Sequence, residues 1–350
     1  MCGDGLPMTL IAGIDEAGYG PILGPMVVSA TAFHVAGLRI ADCELRIDKE
    51  FTSKSAIRNS QSEMGCLWRV LAPVVTRRPN RHNDSIVVGD SKRLYSRTIG
   101  LKHLEAATLA FLCAMEKPVE TREAILAALS LEDLPEPGAC PWHGEAPLEL
   151  PVEVDRLTLR HKAARLKAHL RARGVRLCGV KSVVTSPHNF NARIRRHGNK
   201  ARALFESVGA LLKWVAGNAQ GQPFVAFVDK QGGRNYYADL LAAIFPGAEI
   251  RIALESQRIS RYGLTGDGLD GTICFAMDSE DEQLPIALAS MCSKYLRELD
   301  LMLFNRYWQS RVPGLRPTAG YAEDGRRFLS QVWPAMQAEG IDPDVIVRVR

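Results

Sequence analysis

The sequence predicts an α/β fold in which a mixed β-sheet is flanked by helices. Two apolar runs near the start, "MTLIAGID" and "PMVVSATAFHV", are joined by a glycine-rich turn, which is typical of neighbouring antiparallel strands. Further along, strand-like runs alternate with helical ones. Antiparallel strands followed by β/α alternation favour a mixed sheet with helices packed on it.

The next elements follow in order along the chain. A short strand in "SIVVGDSKRL" leads into a loop, and periodicity predicts a helix from about Leu101 to Met115. The segment "LEDLPEPGACPWHGEAPLELP" is rich in Pro, Gly and acids, so we interpret it as a loop or an inserted boundary outside the core. Residues 156–173 predict a basic amphipathic helix, "VRLCGVKSVV" a strand, and "KARALFESVGALLKWVAG" a helix that ends near Gly217.

The last third of the chain continues the alternation of strands and helices. The apolar run "PFVAFVD" predicts a strand that stops at Asp229, followed by a helix in "NYYADLLAAIF". Two further strands are predicted in "AEIRIAL" and "TICFAM". A long amphipathic helix, "PIALASMCSKYLRELDLMLFNRYW", follows an acidic cluster, and "TAGYAEDGRRFLSQVWP" predicts a turn that enters a final helix.

Composition excludes several classes of protein. The start "MCGDGLPMTLIAG" lacks the basic and apolar regions of a signal peptide, and no apolar run reaches transmembrane length. The eight cysteines are scattered, with no CxxC pair, so we expect reduced thiols in a cytoplasmic protein. We also expect a monomer with no membrane partner. Cys140 and His143 have the spacing of metal ligands, but no second pair accompanies them, which disfavours a zinc site.

A basic block without any Asp or Glu runs from Arg156 to Phe205. Such a block is typical of a solvated helix face. It is equally typical of a surface for polyanions, because clustered Lys and Arg neutralise phosphates and release counterions. The sequence leaves both interpretations open.

Carboxylates stand at the ends of two apolar strands. Asp15 and Glu16 end the first, Asp229 ends a later one, and a third acidic group precedes the long helix. Buried carboxylates gathered at one edge of a sheet are costly unless a cation neutralises them. Hard oxygen donors on a rigid sheet suit Mg²⁺ or Mn²⁺. Each acid alone is more often a solvated strand end, but together, beside a basic block, they favour phosphoryl chemistry.

Five motifs, in order, resemble those of the type 2 ribonucleases H, the ribonuclease HII and HIII group. They are "GIDEAGYGPILGPMVV", "VVGDSKRLYS", "FVAFVDK", "DSEDEQLPIALASMCSKYLREL" and "TAGYAEDGRRFL". The resemblance implies a ribonuclease H-like domain over residues 8–335. It includes family-atypical insertions at about 44–82 and 118–165, and a C-terminal helical part at about 300–350 that contributes the Gly-Tyr motif.

The resemblance also implies an activity and its residues. The activity is metal-dependent hydrolysis of an RNA strand, or of embedded ribonucleotides, in an RNA/DNA duplex, with two Mg²⁺ or Mn²⁺ ions. The implied metal ligands are Asp15, Glu16, Asp229 and Glu280, with Asp281 the second choice for the fourth acid and Asp278 the third. Implied substrate contacts are the Gly18–Tyr19–Gly20 backbone, Lys92 and Tyr321. Lys294 fits a phosphate contact and a salt bridge equally well.

The sequence also departs from the family pattern. Position 19 is Tyr in place of a basic residue, Lys230 replaces a glycine after Asp229, and the last acid is Glu in place of Asp. These departures leave two alternatives. One is a catalytically weak relative that binds hybrid duplexes or junctions, and the other is a relative acting on branched DNA, against which the Asp-Ser-Lys and Gly-Tyr motifs argue.

Overall fold

The computed structural model describes residues 8–38, 66–79, 84–96, 98–131, 140–144, 146–231 and 233–349. Within these residues, seven strands form the main sheet: β1 Met8–Ala17, β2 Met26–Ala36, β5 Val175–Thr185, β6 Phe224–Asp229, β7 Glu249–Glu255, β8 Ile259–Gly266 and β9 Leu269–Ala276. Their order is β5-β2-β1-β6-β9-β8-β7. Two short strands, β3 Val75–Thr76 and β4 Ile86–Val87, pair separately.

The helices lie between and around these strands. They are α1 Leu67–Val70, α2 Ser91–Leu94, α3 Lys102–Ala114, α4 Arg122–Leu129, α5 Arg156–Ala172, α6 Pro187–His197, α7 Lys200–Ala219, α8 Ala238–Ile244, α9 Leu284–Arg311, α10 Ala322–Ala338 and α11 Pro343–Ile346. Two 3₁₀ turns occupy Pro141–His143 and Ser279–Asp281. No helix in the described ranges combines the length and apolar character needed to cross a bilayer.

The strand directions confirm the predicted mixed sheet. Strands β1, β6 and β9 run parallel, with Ile14 paired to Val228 and Val228 paired to Phe275. Strand β2 runs antiparallel to both β1 and β5, and β8 runs antiparallel to β7 and β9. Because the carboxyl ends of parallel strands meet at one edge, the chain leaves β1, β6 and β9 on the same side of the sheet.

Helices cover both faces of the sheet, as the fold class predicts. Leu10, Ala12 and Ile14 pack with apolar residues of α7 on one face, while Ile11 packs with residues of α9 on the other. Gly13 permits α9 to approach β1, since a Cβ there would lie 2.1 Å from the backbone nitrogen of Ile286. A larger residue at position 13 would push the long helix off the sheet.

Two local expectations from the sequence are wrong. Helix α7 continues through Gly217 to Ala219 and is closed by Gln220, whose φ is 53°. The segment interpreted as lying outside the core contributes Trp142, which is 2% exposed and packs edge-on against Phe304 at 5.0 Å between ring centroids. Its Pro, Gly and acidic residues obscured a short apolar anchor that docks on α9.

Two elements lacked a clear signal in the sequence. Strand β8 buries Tyr262 and Leu264, but Arg261 and Gly263 interrupt its apolar pattern. Helix α6 is strongly polar, although Ser186 caps it by accepting a hydrogen bond from the backbone nitrogen of Asn189 at 3.3 Å. A Ser-Pro helix start was the available cue.

The domain boundary and the insertions stay predictions. Residues after 335 pack on the same body, since Ile346 is 1% and Arg348 is 2% exposed. Of the two expected insertions, residues 44–65, 80–82, 132–139 and 145 lie outside the described ranges. The described parts of the first insertion supply α1 and β3, and those of the second include α4 and the start of α5.

Candidate active site

Three carboxylates converge where β1 and β6 end. Asp15, Glu16 and Asp229 each offer an oxygen, and these oxygens lie within 4.8 Å of one another. Asp15 is 4% exposed and its Oδ1 accepts a hydrogen bond from the backbone nitrogen of Glu16 at 2.7 Å. The parallel pairing of the two strands therefore brings together three of the acids that the sequence singled out.

Helix α9 fixes the position of this cluster. The Ser293 hydroxyl donates to the backbone oxygen of Asp15 at 2.9 Å. The hydroxyl of Ser290, one turn earlier, lies 3.0 Å from that of Ser91 in α2. These contacts tie the end of β1, the Asp-Ser-Lys segment and the long helix into one frame.

The charges of the cluster oppose one another. Burial raises the pKa of Asp15 well above its usual value, and the charges of Asp229, Glu16 and Glu280 raise it further. Burial also raises the pKa of Asp229 to about 8, with Glu16 and Glu280 adding to the effect. Buried carboxylates this close favour either a shared proton or a bound cation, and their hard oxygens fit Mg²⁺ or Mn²⁺.

Glu280 lies beside the cluster, whereas its neighbour Asp281 turns away. The charge of Glu280 raises the pKa of both Asp15 and Asp229, and burial raises the pKa of Glu280 itself. The Asp281 carboxylate is 51% exposed and lies 3.2 Å from the guanidinium of Arg93. Asp278, exposed and with a φ of 55°, precedes the turn that carries both.

Lys92 stands close to the acids. Its backbone nitrogen donates to Asp90 Oδ1 at 2.8 Å, which caps the short helix α2. Burial alone would lower the pKa of Lys92, but the charges of Glu280, Asp15 and Asp229 outweigh that effect and raise it. The ammonium group therefore lies within electrostatic reach of all three of these acids.

The two glycines of the first motif have different roles. Gly18 has a φ of +103°, and a Cβ there would lie 2.7 Å from the backbone oxygen of Pro25. A Cβ added at Gly20 would have no atom within 4 Å. The fold therefore requires glycine at 18, whereas at 20 glycine leaves the backbone open to a ligand.

Arg297 holds two loops together, a role that sequence reasoning missed. Its side chain is 1% exposed and donates to the backbone oxygens of Leu23 at 3.0 Å and Ala319 at 3.2 Å. Gly320 in turn accepts from the backbone nitrogen of Ile22 at 2.8 Å. An arginine on the apolar face of a helix was the only available signal, because a buried charge needs partners.

Tyr321 follows this junction and stands at the start of α10. Its side chain is 54% exposed. Because the preceding Gly320 is bonded to the loop after Gly20, the tyrosine ring is presented next to that loop. An exposed ring on an anchored backbone is free to pack on a ligand.

Tyr19 is half-buried against the core cluster below α7. The ammonium nitrogen of Lys200, the first residue of α7, lies 4.7 Å from the centre of its ring. A cation therefore stands next to position 19 even though that position is not basic. This pair spans 181 positions of sequence, so no local motif could have revealed it.

Other charged candidates are engaged in structural contacts. Lys294 lies 2.8 Å from Glu298 and over the ring of Tyr95 at 4.8 Å, which favours the salt-bridge interpretation. Lys230 donates to the backbone oxygens of Ser256 and of Gln257, so it faces the β7–β8 turn.

The Cys140–His143 pair also has other partners. His143 Nε2 lies 2.6 Å from Asp300, and Arg122 lies 2.8 Å from the same carboxylate. Because a guanidinium already neutralises Asp300, this cluster is poorly suited to a cation.

The basic block divides into two surfaces. On α6, Arg195 pairs with Asp344 and Arg196 with Glu206, so part of its charge is neutralised within the protein. Helix α5 is partly paired as well, since Lys162 and Arg165 contact Asp84 and Lys167 contacts Glu116. Exposed arginines without an ion-pair partner in the described part of the chain include Arg160, Arg171 and Arg173, on and directly after this helix. These three arginines are the groups of this surface that are available to a polyanion.

Comparison with known proteins gives remote structural matches. No family model and no curated protein matches the chain. One solved structure that matches is that of the PCNA:RNase HII complex from Archaeoglobus fulgidus. The match has 15% sequence identity and a TM-score of 0.39, and it covers 97% of this chain and 94% of that chain. Ribonuclease H2 from Pyrococcus horikoshii OT3 has 12% identity, coverage of 96% and 92%, and a TM-score of 0.35.

Bst-RNase HIII in complex with Mn²⁺ also matches, with 12% identity, coverage of 98% and 67%, and a TM-score of 0.39. These structures are all type 2 ribonucleases H, the group that the five motifs resemble. Identities and TM-scores this low transfer no residue role and no activity to the present chain. Any functional assignment therefore depends on the acid cluster and the groups around it.

Proposed function

We propose that this protein is a metal-dependent endoribonuclease that cleaves the RNA strand, or an embedded ribonucleotide, in an RNA/DNA duplex. The supporting observation is the convergence of Asp15, Glu16 and Asp229 at one sheet edge, with Glu280 alongside. Lys92 and hydrogen bonds such as that from the Glu16 backbone nitrogen to Asp15 offset only part of the cost of burying these acids, since the pKa values of Asp15 and Asp229 stay raised, which favours metal binding or proton sharing.

The same acids would hold the metal. Asp15, Glu16 and Asp229 stand at the ends of two parallel strands, and Glu280 lies in the 3₁₀ turn before α9. Two bound divalent ions would supply an activated water and the positive charge that stabilises the leaving oxygen. The carboxylates contribute by fixing where these charges lie, and Lys92 contributes a further cation toward the phosphate.

The loops beside the acids supply a means of selecting RNA. Telling RNA from DNA at one position requires a contact to the 2′-hydroxyl. The open backbone at Gly20 and the exposed ring of Tyr321 lie on the two loops that Arg297 ties together. We assign the hydroxyl contact to the Gly18–Tyr19–Gly20 backbone and the sugar contact to Tyr321.

One assay tests the activity and its alternatives. The protein is incubated with Mg²⁺ or Mn²⁺ and three duplexes: all-DNA, DNA with one embedded ribonucleotide, and a full RNA/DNA hybrid. We expect cleavage of the ribonucleotide-containing duplexes alone. Binding without cleavage would support the catalytically weak relative instead, and cleavage of a branched all-DNA substrate would support a different nuclease.

A matched pair of variants tests the fourth acid. Glu280→Gln removes a carboxylate beside the cluster, whereas Asp281→Asn removes one that faces Arg93 on the surface. We expect Glu280→Gln to lower kcat by about a hundredfold or more and Asp281→Asn to leave it within about threefold, since only the first weakens charge stabilisation at the reacting phosphate. The reverse order would assign the role to Asp281.

A further inference from the structure

A second concave site adjoins the acid cluster. It is a cleft of about 710 Å³, and Glu280 belongs to both sites. Acidic and basic side chains both line it. The acids are Asp90, Glu280, Asp281 and Glu282, and the basic residues are Arg77, Arg78, Arg93 and Lys102. Trp68 and His103 also line it.

The basic side of the cleft comes largely from the first predicted insertion. Trp68, Arg77 and Arg78 lie within residues 66–79, the described part of that insertion. Lys102 begins α3. The type 2 ribonuclease H motifs therefore include the acidic side of the cleft but none of Trp68, Arg77, Arg78 and Lys102.

The acidic side is partly neutralised within the protein. The guanidinium of Arg93 lies 3.2 Å from Asp90 and 3.2 Å from Asp281, so it joins α2 to the 3₁₀ turn before α9. One guanidinium serves both carboxylates, and the other two lining acids, Glu280 and Glu282, form no ion pair within the described ranges. This side of the cleft therefore stays acidic, and a bound polyanion would lie against the opposite, basic side.

Cations on the basic side are available to a ligand. Arg77, Arg78 and Lys102 are exposed, and within the described ranges no carboxylate forms an ion pair with any of them. The guanidinium of Arg77 lies over the indole of Trp68, 5.0 Å from the ring centre, and Trp68 is only 6% exposed. The buried indole thus holds the guanidinium plane in place, and such planes stack on unpaired bases.

Size distinguishes a strand from a duplex. A concave volume of this order falls within the range of about 300–1,000 Å³ typical of sites for small molecules. It suits a short stretch of unpaired nucleotides and is too confined for a double helix. Phosphates of such a stretch would meet Arg78 and Lys102, and a base would meet Arg77.

We propose that this cleft binds a single-stranded extension that continues from the duplex held at the acid cluster. The inference rests on the proposed function for the presence of a duplex next to the cleft. It adds that the protein recognises a junction between paired and unpaired nucleic acid, with residues of the described segment 66–79 and Lys102 as the contacts to the unpaired strand.

The test measures binding and requires no cleavage. All-DNA duplexes, which the proposed activity does not cut, are prepared blunt, with a 5′ oligothymidylate extension, and with a 3′ one, and their Kd is measured in Mg²⁺ at several salt concentrations. We expect one polarity of extension to tighten binding by about tenfold relative to the blunt duplex and to steepen the salt slope by about 0.7 for each added phosphate contact.

Two double variants with equal charge change separate the cleft from general electrostatics. Arg78→Glu/Lys102→Glu alters the cleft, whereas Arg251→Glu/Arg306→Glu alters exposed arginines of β7 and of α9 that do not line it. We expect the gain from the extension to disappear in the first and to persist in the second. If a thermal melt shows that Arg78→Glu/Lys102→Glu is unfolded, the milder double variant Arg78→Gln/Lys102→Gln replaces it.

The proposal is overturned if neither polarity of extension improves binding by the wild type, or if the gain persists in both cleft variants. These outcomes are independent of the proposed function, because a protein that cuts none of the ribonucleotide-containing duplexes can still show or lack the gain in affinity from the extension. Conversely, normal cleavage with no gain would leave the nuclease proposal standing and remove the cleft from it.

Discussion

Arg297 provides a direct test of how the loops beside the acid cluster are held. Its guanidinium is buried and bridges the backbone oxygens of Leu23 and Ala319. Arg297→Lys keeps the positive charge and much of the stem. In the wild type the guanidinium Nη2 donates to both oxygens, whereas the lysine ammonium nitrogen ends about one bond short of that position and so cannot reach both carbonyl oxygens in the same geometry.

The structure sets the size of the expected effect. Leu23 is 0% exposed, so its backbone oxygen has no access to water once the guanidinium is lost. Leaving one buried polar group without a partner costs about 1–3 kcal/mol, and we take about 2 kcal/mol for this substitution. At about 2–4 °C per kcal/mol for chains of 150–250 residues, and somewhat less for a longer one, Tm should fall by about 3–6 °C.

The assay pairs thermal melts with cleavage of the ribonucleotide-containing duplex. We expect KM to rise more than kcat falls, since the substitution loosens the loops that carry Gly20 and Tyr321 and leaves the acids in place. Arg306→Lys is the matched control, because Arg306 lies on the same helix but is exposed and donates to a single backbone oxygen, that of Ala146. If both variants show the same Tm and KM, Arg297 does not tie the loops together.

Further outcomes are expected at the acid cluster and around it. Asp15→Asn should abolish cleavage in Mn²⁺ while the metal-free Tm stays the same or rises, because it removes a charge from a mutually repelling group; near-normal turnover would argue against metal catalysis at this site. Burial and neighbouring charges raise the pKa of Asp229 to about 8 in the folded state, whereas the unfolded chain releases this proton near pH 4. Between these pH values the folded protein holds a proton that the unfolded chain has lost. The free energy of unfolding of the metal-free protein should therefore fall as pH rises from about 4 to about 8. Millimolar Mn²⁺ should therefore raise Tm relative to EDTA, and more so at about pH 8 than at about pH 5, while a shift that is absent or independent of pH would contradict the convergence of the acids. Tyr19→Ala should raise KM, since it removes the ring on which Lys200 rests, and an unchanged KM would make position 19 a bystander. Charge reversal of three exposed arginines on and after α5 should weaken binding to all duplexes alike and flatten the salt slope; the three are Arg160, Arg171 and Arg173. Unchanged binding would mean that this surface is only a solvated helix face.

The sequence predicted the parts of the site that depend on strand ends. Apolar runs that stop at Asp15 and Asp229 located both residues, and the mixed sheet, which is confirmed, places the ends of parallel strands together. The choice between Glu280 and Asp281 stayed a prediction. The two are adjacent in one short turn, and their directions depend on Arg93, which is remote in sequence.

Contacts between distant segments were beyond sequence reasoning. Arg297 acts on backbone oxygens that carry no residue-specific signal, and Lys200 meets Tyr19 only because α7 packs across the sheet. Trp142 lies among Pro, Gly and acidic residues, which are typical of a surface loop, yet the segment folds back onto α9. In each case the partner was fixed by tertiary packing, which a local pattern does not encode.

Helix α9 constrains how this protein can change by insertion or deletion. Along its 28 residues it contacts the acid cluster through Ser293, the paired loops through Arg297 and the Trp142 segment through Phe304. Deleting one residue between these positions would rotate everything after it by about 100° relative to what precedes it. Any insertion or deletion within this stretch of the helix would therefore misplace at least one of these three contacts relative to the others.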